Sequence, residues 1–230
     1  MVILFATRTL SKSQSKISSR TASFFIFPWI LFTIFAGMGP PPETALEWAL
    51  NANEQLFRYT FLIGGGISLT LGFIRFEKEL QDSTGSRYAG WGSVLMKIAL
   101  PLFILNMAYW GYFLTNVFIT YSAAHAPARP TWIKTVGEVF IIIRMVEVAL
   151  IYFATAAIAR ALRVNQLLSK PSYLFYIFFT CSAALANLLP STIAGPLAIA
   201  NYLSYIPAFT FLMPYFIAVN LLANPFGKES

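Results

Sequence analysis

Residues 136–159 read VGEVFIIIRMVEVALIYFATAAIA, an apolar run of transmembrane length with Arg144 and Glu147 inside it. A helix rises ~1.5 Å per residue, so one that enters the membrane at Val136 carries Arg144 ~12 Å and Glu147 ~16 Å inward. The hydrocarbon layer of a bilayer is ~30 Å thick, which places Glu147 near its middle. A lone charge at that depth costs at least ~2.5 kcal/mol. We therefore expect the two charges to neutralise each other or to face a wet cavity.

The composition of the chain indicates an integral membrane protein but does not distinguish the plasma membrane from an organelle membrane. Hydrophobic residues make up 57% of the 230 residues and charged residues only 11%. Soluble domains carry about 25% charged residues, and a chain of this length has no room for a separate catalytic domain beside its apolar runs. The net charge of +7 fits basic loops on the cytoplasmic side of a membrane, so we expect no nucleic-acid partner.

The apolar runs predict an all-α, polytopic bundle of about six transmembrane helices in a single domain. That domain covers residues 23–226, between a basic N-terminal tail at 1–22 and a short C-terminal tail at 227–230. The tail at 1–22 fits a retained cytoplasmic segment and also resembles an organellar transit peptide. The predicted spans are Ser23–Met38, Leu56–Ile74, Val94–Tyr121, Val136–Ala159, Tyr173–Leu189 and Leu197–Leu222.

The segments between the first spans have their own patterns. Residues 44–55 predict a short amphipathic helix on the membrane surface, with Leu46, Trp48 and Leu50 dipping inward. The charged stretch Arg75–Arg87 predicts a loop. The third span is longer than a bilayer requires, so we expect it to tilt, protrude or kink at Pro101.

The distribution of basic residues predicts the orientation. Of the 16 lysines and arginines, two lie within predicted spans, as Lys97 and Arg144. With the N-terminus inside, the outer side holds three, Arg58, Arg129 and Lys134, and the other 11 are cytoplasmic. This positive-inside bias predicts that both termini are cytoplasmic and that the number of spans is even.

The fourth span carries the principal candidate site. Arg144, Glu147, Ile151 and Thr155 fall on one helical face, because spacings of three, four and seven residues return to the same side. One interpretation is a substrate or proton path in which Glu147 titrates and Arg144 is its partner or an anion hook. The alternative is an interhelical clamp satisfied by polar groups on neighbouring helices.

The last span adds two polar candidates to this path. Pro207 and Pro214 each free a backbone carbonyl one turn earlier, and Tyr215 and Asn220 supply polar side chains nearby. Broken helices of this kind hold ions or substrates in transporters. Proline kinks without a ligand are an equally simple explanation.

Four further charged residues have simpler interpretations. Glu138 and Lys97 are secondary candidates for the path, as a vestibule residue and as a partner of Glu147. The simpler expectation is an interfacial Glu138 at a helix N-terminus and a snorkelling Lys97. Glu54 and Arg58, four residues apart, predict a surface ion pair.

The second span has one unusually small side, formed by Gly64, Gly65, Gly66 and Ser68. Small residues let helix backbones approach closely, which predicts tight packing or self-association through this side. A ligand groove is the alternative. The expected partners are membrane lipids and, through this surface, other membrane subunits or a second copy.

The sequence predicts no cofactor and no metal site. A single histidine, His125, excludes bis-histidine haem ligation within this chain, and Cys181 is the only cysteine. No Ser-His-Asp grouping is apparent, and no aspartate lies within a predicted span.

Three functional hypotheses follow from these patterns. The first is a small transporter or conduit that uses Arg144 and Glu147. The second is a non-enzymatic accessory subunit of a larger membrane complex, and the third an intramembrane enzyme acting on a lipid or isoprenoid.

Overall fold

The computed structural model describes residues 17, 19–39, 42–123, 131–189, 195–204 and 207–223, in which every regular element is helical. This confirms the all-α class for the described residues. The elements in chain order are α1 (Ser19–Gly37), α2 (Ala45–Leu50), α3 (Ala52–Glu79), α4 (Ser86–Ala108), a π-helical turn (Tyr109–Phe113), α5 (Leu114–Ala123), α6 (Thr131–Val164), α7 (Lys170–Asn187), α8 (Pro196–Ser204) and α9 (Pro207–Ala223).

Four helical stretches are long and apolar enough to cross a membrane, as expected of a membrane protein. They are Ser19–Gly37, Ala52–Glu79, Ser86–Ala123 and Trp132–Val164. A fifth follows if α8 and α9, whose axes differ by 67°, count as one bent span. Each of the first four predicted spans therefore corresponds to a helix of membrane-crossing length.

The helices pack around α6. One side of α6 lies against α4 and the other against α7, while α3 packs against both α4 and α1. The last helix, α9, lies against α1 and also reaches α6, which closes the bundle. Large apolar side chains fill the centre, among them Phe25, Leu69, Phe73, Phe103 and Phe211, each at most 5% exposed.

The prediction for residues 44–55 is wrong in part. Thr44 caps α2 through a capping box with Glu47, and the helix ends at Leu50 before α3 begins. Trp48 is buried and donates its Nε1–H to Thr115 Oγ1 at 2.8 Å, whereas Leu46 and Leu50 are 59% and 76% exposed. Residues two apart on a helix point about 200° apart, so these three side chains do not share a face.

Two boundaries also differ from prediction. The charged residues from Arg75 to Glu79 belong to α3, not to a loop, because Arg, Lys and Glu are good helix formers and the helix continues past its apolar part. The third span is helical from Ser86 to Ala123, with Pro101 inside α4 and a π-helical turn at Tyr109–Phe113. At this turn Gly111 lies so close to Tyr59 that an added Cβ would overlap the tyrosine side chain.

The predicted continuous helix at 197–222 is two helices, α8 and α9. Pro207 is the first residue of α9. Proline lacks the N–H of a helical hydrogen bond and its ring clashes with the preceding turn, so it begins a helix more readily than it continues one.

Candidate functional site

Glu147 lies in the middle of α6 and is only 1% exposed. Beside it is a cavity of about 30 Å³ between α4, α6 and α9. Arg144 lines the same cavity, so the structure brings the two sequence-predicted charges to one place. The remaining lining residues are Phe103 and Met107 of α4, Val148 and Ile151 of α6, and Thr210 and Phe211 of α9.

The carboxyl group of Glu147 is held by a residue that the sequence reasoning missed. Asn106 of α4 donates its Nδ2–H to Glu147 Oε1 at 2.9 Å, and both side chains are buried. Asn106 is an amide within a long apolar stretch. Such polar residues commonly form hydrogen bonds across membrane helices, and this is the signal that would have pointed to it.

Only one oxygen of the carboxyl group is used in this contact. Glu147 Oε2 is buried and has no hydrogen-bond partner among the described residues, and the same holds for Asn106 Oδ1. A buried polar atom left without a partner costs about 1–3 kcal/mol. A cavity near 30 Å³ corresponds to the liquid volume of about one water molecule. The space beside Glu147 is therefore large enough for a water molecule.

Arg144 and Glu147 differ in how deeply they are buried. Arg144 is half-buried and lines the cavity one turn before the carboxylate. Among the described residues, the hydrogen bond to the Glu147 carboxyl group comes from Asn106. Arg144 thus supplies positive charge to the wall of the cavity, while the neighbouring helix α4 fixes the carboxyl group.

Thr155 shares the buried face of α6 with Glu147 but not the cavity. Its Oγ1 donates to the backbone oxygen of Ile151 at 2.8 Å within the same helix. A second buried hydroxyl on α6, Tyr152, donates to the backbone oxygen of Ser204 at 2.8 Å and so connects α6 to the end of α8. The sequence reasoning did not single out Tyr152.

The other residues proposed for the path lie elsewhere. Tyr215 stacks on Trp29 of α1, with ring centroids 5.6 Å apart, and Asn220 donates to Ser172 Oγ at 3.4 Å. The polar group that α9 brings to the cavity is Thr210.

Of the two secondary candidates, neither lines the cavity. Glu138 is exposed. Lys97 forms an ion pair with Glu77 of α3, with Nζ and Oε2 3.4 Å apart and both side chains partly exposed.

Glu54 and Arg58 do form an ion pair, at 2.5 Å, but the expectation of a surface pair is wrong for the arginine. Arg58 is 0% exposed and donates to the backbone oxygens of Gly39 and Met38 at 2.6 and 3.0 Å. These carbonyls follow the end of α1, where helix oxygens lack helical partners. Arg58 therefore ties the end of α1 to α3.

The small side of α3 is used mainly for packing inside the chain. A Cβ on Gly65 would lie 3.6 Å from Pro28 Cα, and one on Gly66 would lie 2.7 Å from the ring of Phe103. Ser68 donates to the backbone oxygen of Phe24 at 3.2 Å. Gly64 is half-buried at the edge of this surface.

Within the described part of the chain, no three His, Cys, Asp or Glu residues are grouped as metal ligands. Cys181 is a half-buried free thiol. His125 lies outside the described residues.

No protein-family model, curated protein or solved structure matches this chain.

Proposed function

We propose that this chain is a small membrane transporter or conduit in which Glu147 takes up and releases a proton. The proposal rests on one buried carboxyl group, in which one oxygen has no hydrogen-bond partner among the described residues. Glu147 Oε1 is held by Asn106, while the buried Oε2 has no hydrogen-bond partner among the described residues, and the Glu147 side chain lines a cavity large enough for water. Ionisable groups at membrane depth are uncommon and frequently lie on proton or ion pathways.

The size of the cavity supports a proton over a larger substrate. A water molecule beside Oε2 donates to the carboxylate and accepts from the protonated acid, so it serves either state of the group. Arg144 at the same wall opposes a bound cation such as Na⁺, because two like charges repel strongly in an apolar interior. Proton exchange through water requires neither a larger cavity nor a metal cation bound beside Arg144.

The element beside the site supports movement. Thr210 and Phe211, which line the cavity, belong to α9, which follows the bend between α8 and α9. A change in protonation or partner of Glu147 would favour one arrangement of α9 over another, which is how a ligand shifts a two-state equilibrium.

The proposal includes six spans with both termini cytoplasmic. Besides the four long helices and the bent pair, α7 has 18 residues, so it extends ~27 Å, close to the thickness of the hydrocarbon layer. It follows α6 after a short connection and packs against it, as a helix that returns across the membrane does. The even number of spans agrees with the distribution of basic residues.

The test is reconstitution of the purified wild-type chain into liposomes that contain a pH-sensitive dye. With a pH gradient and a K⁺/valinomycin charge shunt, the proposal expects the lumen to change pH faster than in protein-free liposomes. Equal rates over a range of membrane potentials would remove the conduit hypothesis.

One observation favours the second candidate, an accessory subunit of a larger membrane complex. The hydrogen bond between Asn106 and Glu147 joins α4 to α6, which is what an interhelical clamp does. Under this hypothesis the wild-type chain conducts no protons alone and co-purifies from its own membrane with a fixed set of other chains. Substitution of Glu147 would then impair assembly of that complex.

A further inference from the structure

A groove of about 350 Å³ opens on the outside of the bundle between α1 and α3. The groove has apolar walls, and Phe27, Ile67 and Leu71 are each at least 40% exposed. Both helices are of membrane-crossing length, so this surface faces acyl chains when the protein is in a bilayer. The lining residues are Ser23, Phe24 and Phe27 of α1 and Gly64, Ile67, Ser68 and Leu71 of α3.

Small side chains create the space. Gly64 leaves the floor of the groove without a side chain, and Ser68, one turn later, turns its hydroxyl to the backbone oxygen of Phe24. The volume lies within the range of about 300–1,000 Å³ that is usual for sites that bind small molecules. An extended hydrocarbon chain suits this long, apolar shape.

Two arginines lie at one end of the groove. The guanidinium of Arg75 is 5.9 Å from the ring centroid of Phe24, which lines the groove, and Arg75 follows Leu71 by one helical turn. Arg20 precedes Phe24 by one turn on α1, and both arginines are exposed. Glu79, one helical turn after Arg75 on α3, accepts a hydrogen bond from Thr21 Oγ1 of α1 at 2.8 Å.

We propose that this groove binds an anionic phospholipid, with one acyl chain between α1 and α3 and the phosphate between Arg20 and Arg75. Basic residues beside an apolar groove at the cytoplasmic end of membrane helices are suited to acidic headgroups. Guanidinium groups bind phosphate through charge-assisted, often bidentate hydrogen bonds. This inference is independent of the function proposed for Glu147.

A second copy of the chain fits the groove less well than a lipid. In a two-fold dimer whose axis lies along the membrane normal, the same surface lies on both subunits, and the Arg20 and Arg75 ends of the two copies lie at the same depth. Four like charges would then gather at one end of the interface, where they repel one another. A phosphate instead neutralises the two arginines.

The test measures which lipid stays with the purified chain. Protein in detergent is mixed with equimolar phosphatidylglycerol and phosphatidylcholine, and lipid retained after gel filtration is identified by native mass spectrometry. The wild type should retain phosphatidylglycerol in preference to phosphatidylcholine. Arg20→Gln and Arg75→Gln should each lower that preference about fivefold, as about 1 kcal/mol per basic residue implies.

The matched control is Arg87→Gln, an exposed arginine that does not line the groove. It should keep the preference of the wild type. Ile67→Trp fills the groove and leaves both arginines in place, so it should lower retention of both lipids. This variant also decides the proposal if the arginine variants fail to fold, as checked by circular dichroism.

Three results would overturn the inference. They are equal retention of the two lipids by the wild type, unchanged preference in the Arg20 and Arg75 variants, and a second protein copy released when Ile67→Trp fills the groove. The last result would assign the groove to self-association.

Discussion

Asn106 of α4 and Glu147 of α6 are joined by a hydrogen bond of 2.9 Å from Nδ2 to Oε1, and both side chains are buried. The bond uses one oxygen of the carboxyl group and leaves the other buried without a hydrogen-bond partner among the described residues, in a side chain that lines the same cavity as Arg144 and Thr210. One side chain thus contributes to helix packing through one oxygen and keeps the other without a partner in the described part of the chain. The transporter and accessory-subunit hypotheses differ in which of these two atoms matters.

Asn106→Leu should destabilise the protein. The substitution keeps the side-chain volume similar but removes the donor, so Glu147 Oε1 becomes a second buried oxygen without a partner. We expect a loss near the lower end of about 1–3 kcal/mol in the free energy of unfolding, because the substitution also removes the unpartnered Asn106 Oδ1. Denaturation in mild detergent measures it.

Asn116→Leu is the control for this substitution. It makes the same chemical change at an exposed position on α5. We expect it to alter the unfolding free energy by less than about 0.5 kcal/mol. Equal losses in both variants would mean that the bond to Glu147 adds nothing to stability.

Arg58→Met should release the end of α1 from α3. Methionine fills the space of the arginine stem but donates no hydrogen bond, so the oxygens of Met38 and Gly39 and the carboxylate of Glu54 lose their donor. Each hydrogen bond to a charged group contributes about 1.5–3 kcal/mol. We therefore expect a loss of at least about 3 kcal/mol, measured by the same denaturation. Proteolysis near Gly39 should also become faster. The control is Arg87→Met, at an exposed arginine. Equal losses of unfolding free energy in the two variants would show that Arg58 does not hold the end of α1 against α3.

Gly111→Ala should destabilise the π-helical turn. The added Cβ would overlap the Cβ of Tyr59, which is fixed to the backbone of α3 and cannot rotate away. Overpacking of this kind costs about 1–3 kcal/mol. Gly90→Ala is the control, because a Cβ there has ordinary contacts and alanine favours a helix over glycine by about 1 kcal/mol. A neutral Gly111→Ala would show that α3 and the π-helical turn separate easily at this point.

The sequence alone predicts the helical class and the position of the site on α6. The reason is local: length and apolarity define the spans, and the three-residue spacing places Arg144 and Glu147 on neighbouring turns of one face. The capped start of α2 at Thr44 also follows from nearby residues, through its capping box with Glu47.

Contacts between distant helices could not be predicted in this way. Asn106 is 41 residues from Glu147, and nothing in a single sequence pairs the two. The burial of Arg58 depends on where α1 ends, since its partners are backbone oxygens that any sequence would supply. A single helix over residues 197–222 predicts that Tyr215 and Asn220 lie on the path. The break before Pro207 changes which residues of α9 face α6, and Thr210 lies at the cavity instead.

The most direct test of the central claim compares proton flux through liposomes that contain wild-type, Glu147→Gln or Glu43→Gln protein. Glutamine at 147 can still accept the hydrogen bond from Asn106, but it cannot take up and release a proton. Glu43→Gln is the control, because it makes the same chemical change at an exposed position. We predict that Glu147→Gln lowers the flux to that of protein-free liposomes, with little change in unfolding temperature, and that Glu43→Gln conducts like the wild type. Wild-type flux in correctly folded Glu147→Gln protein would contradict the account.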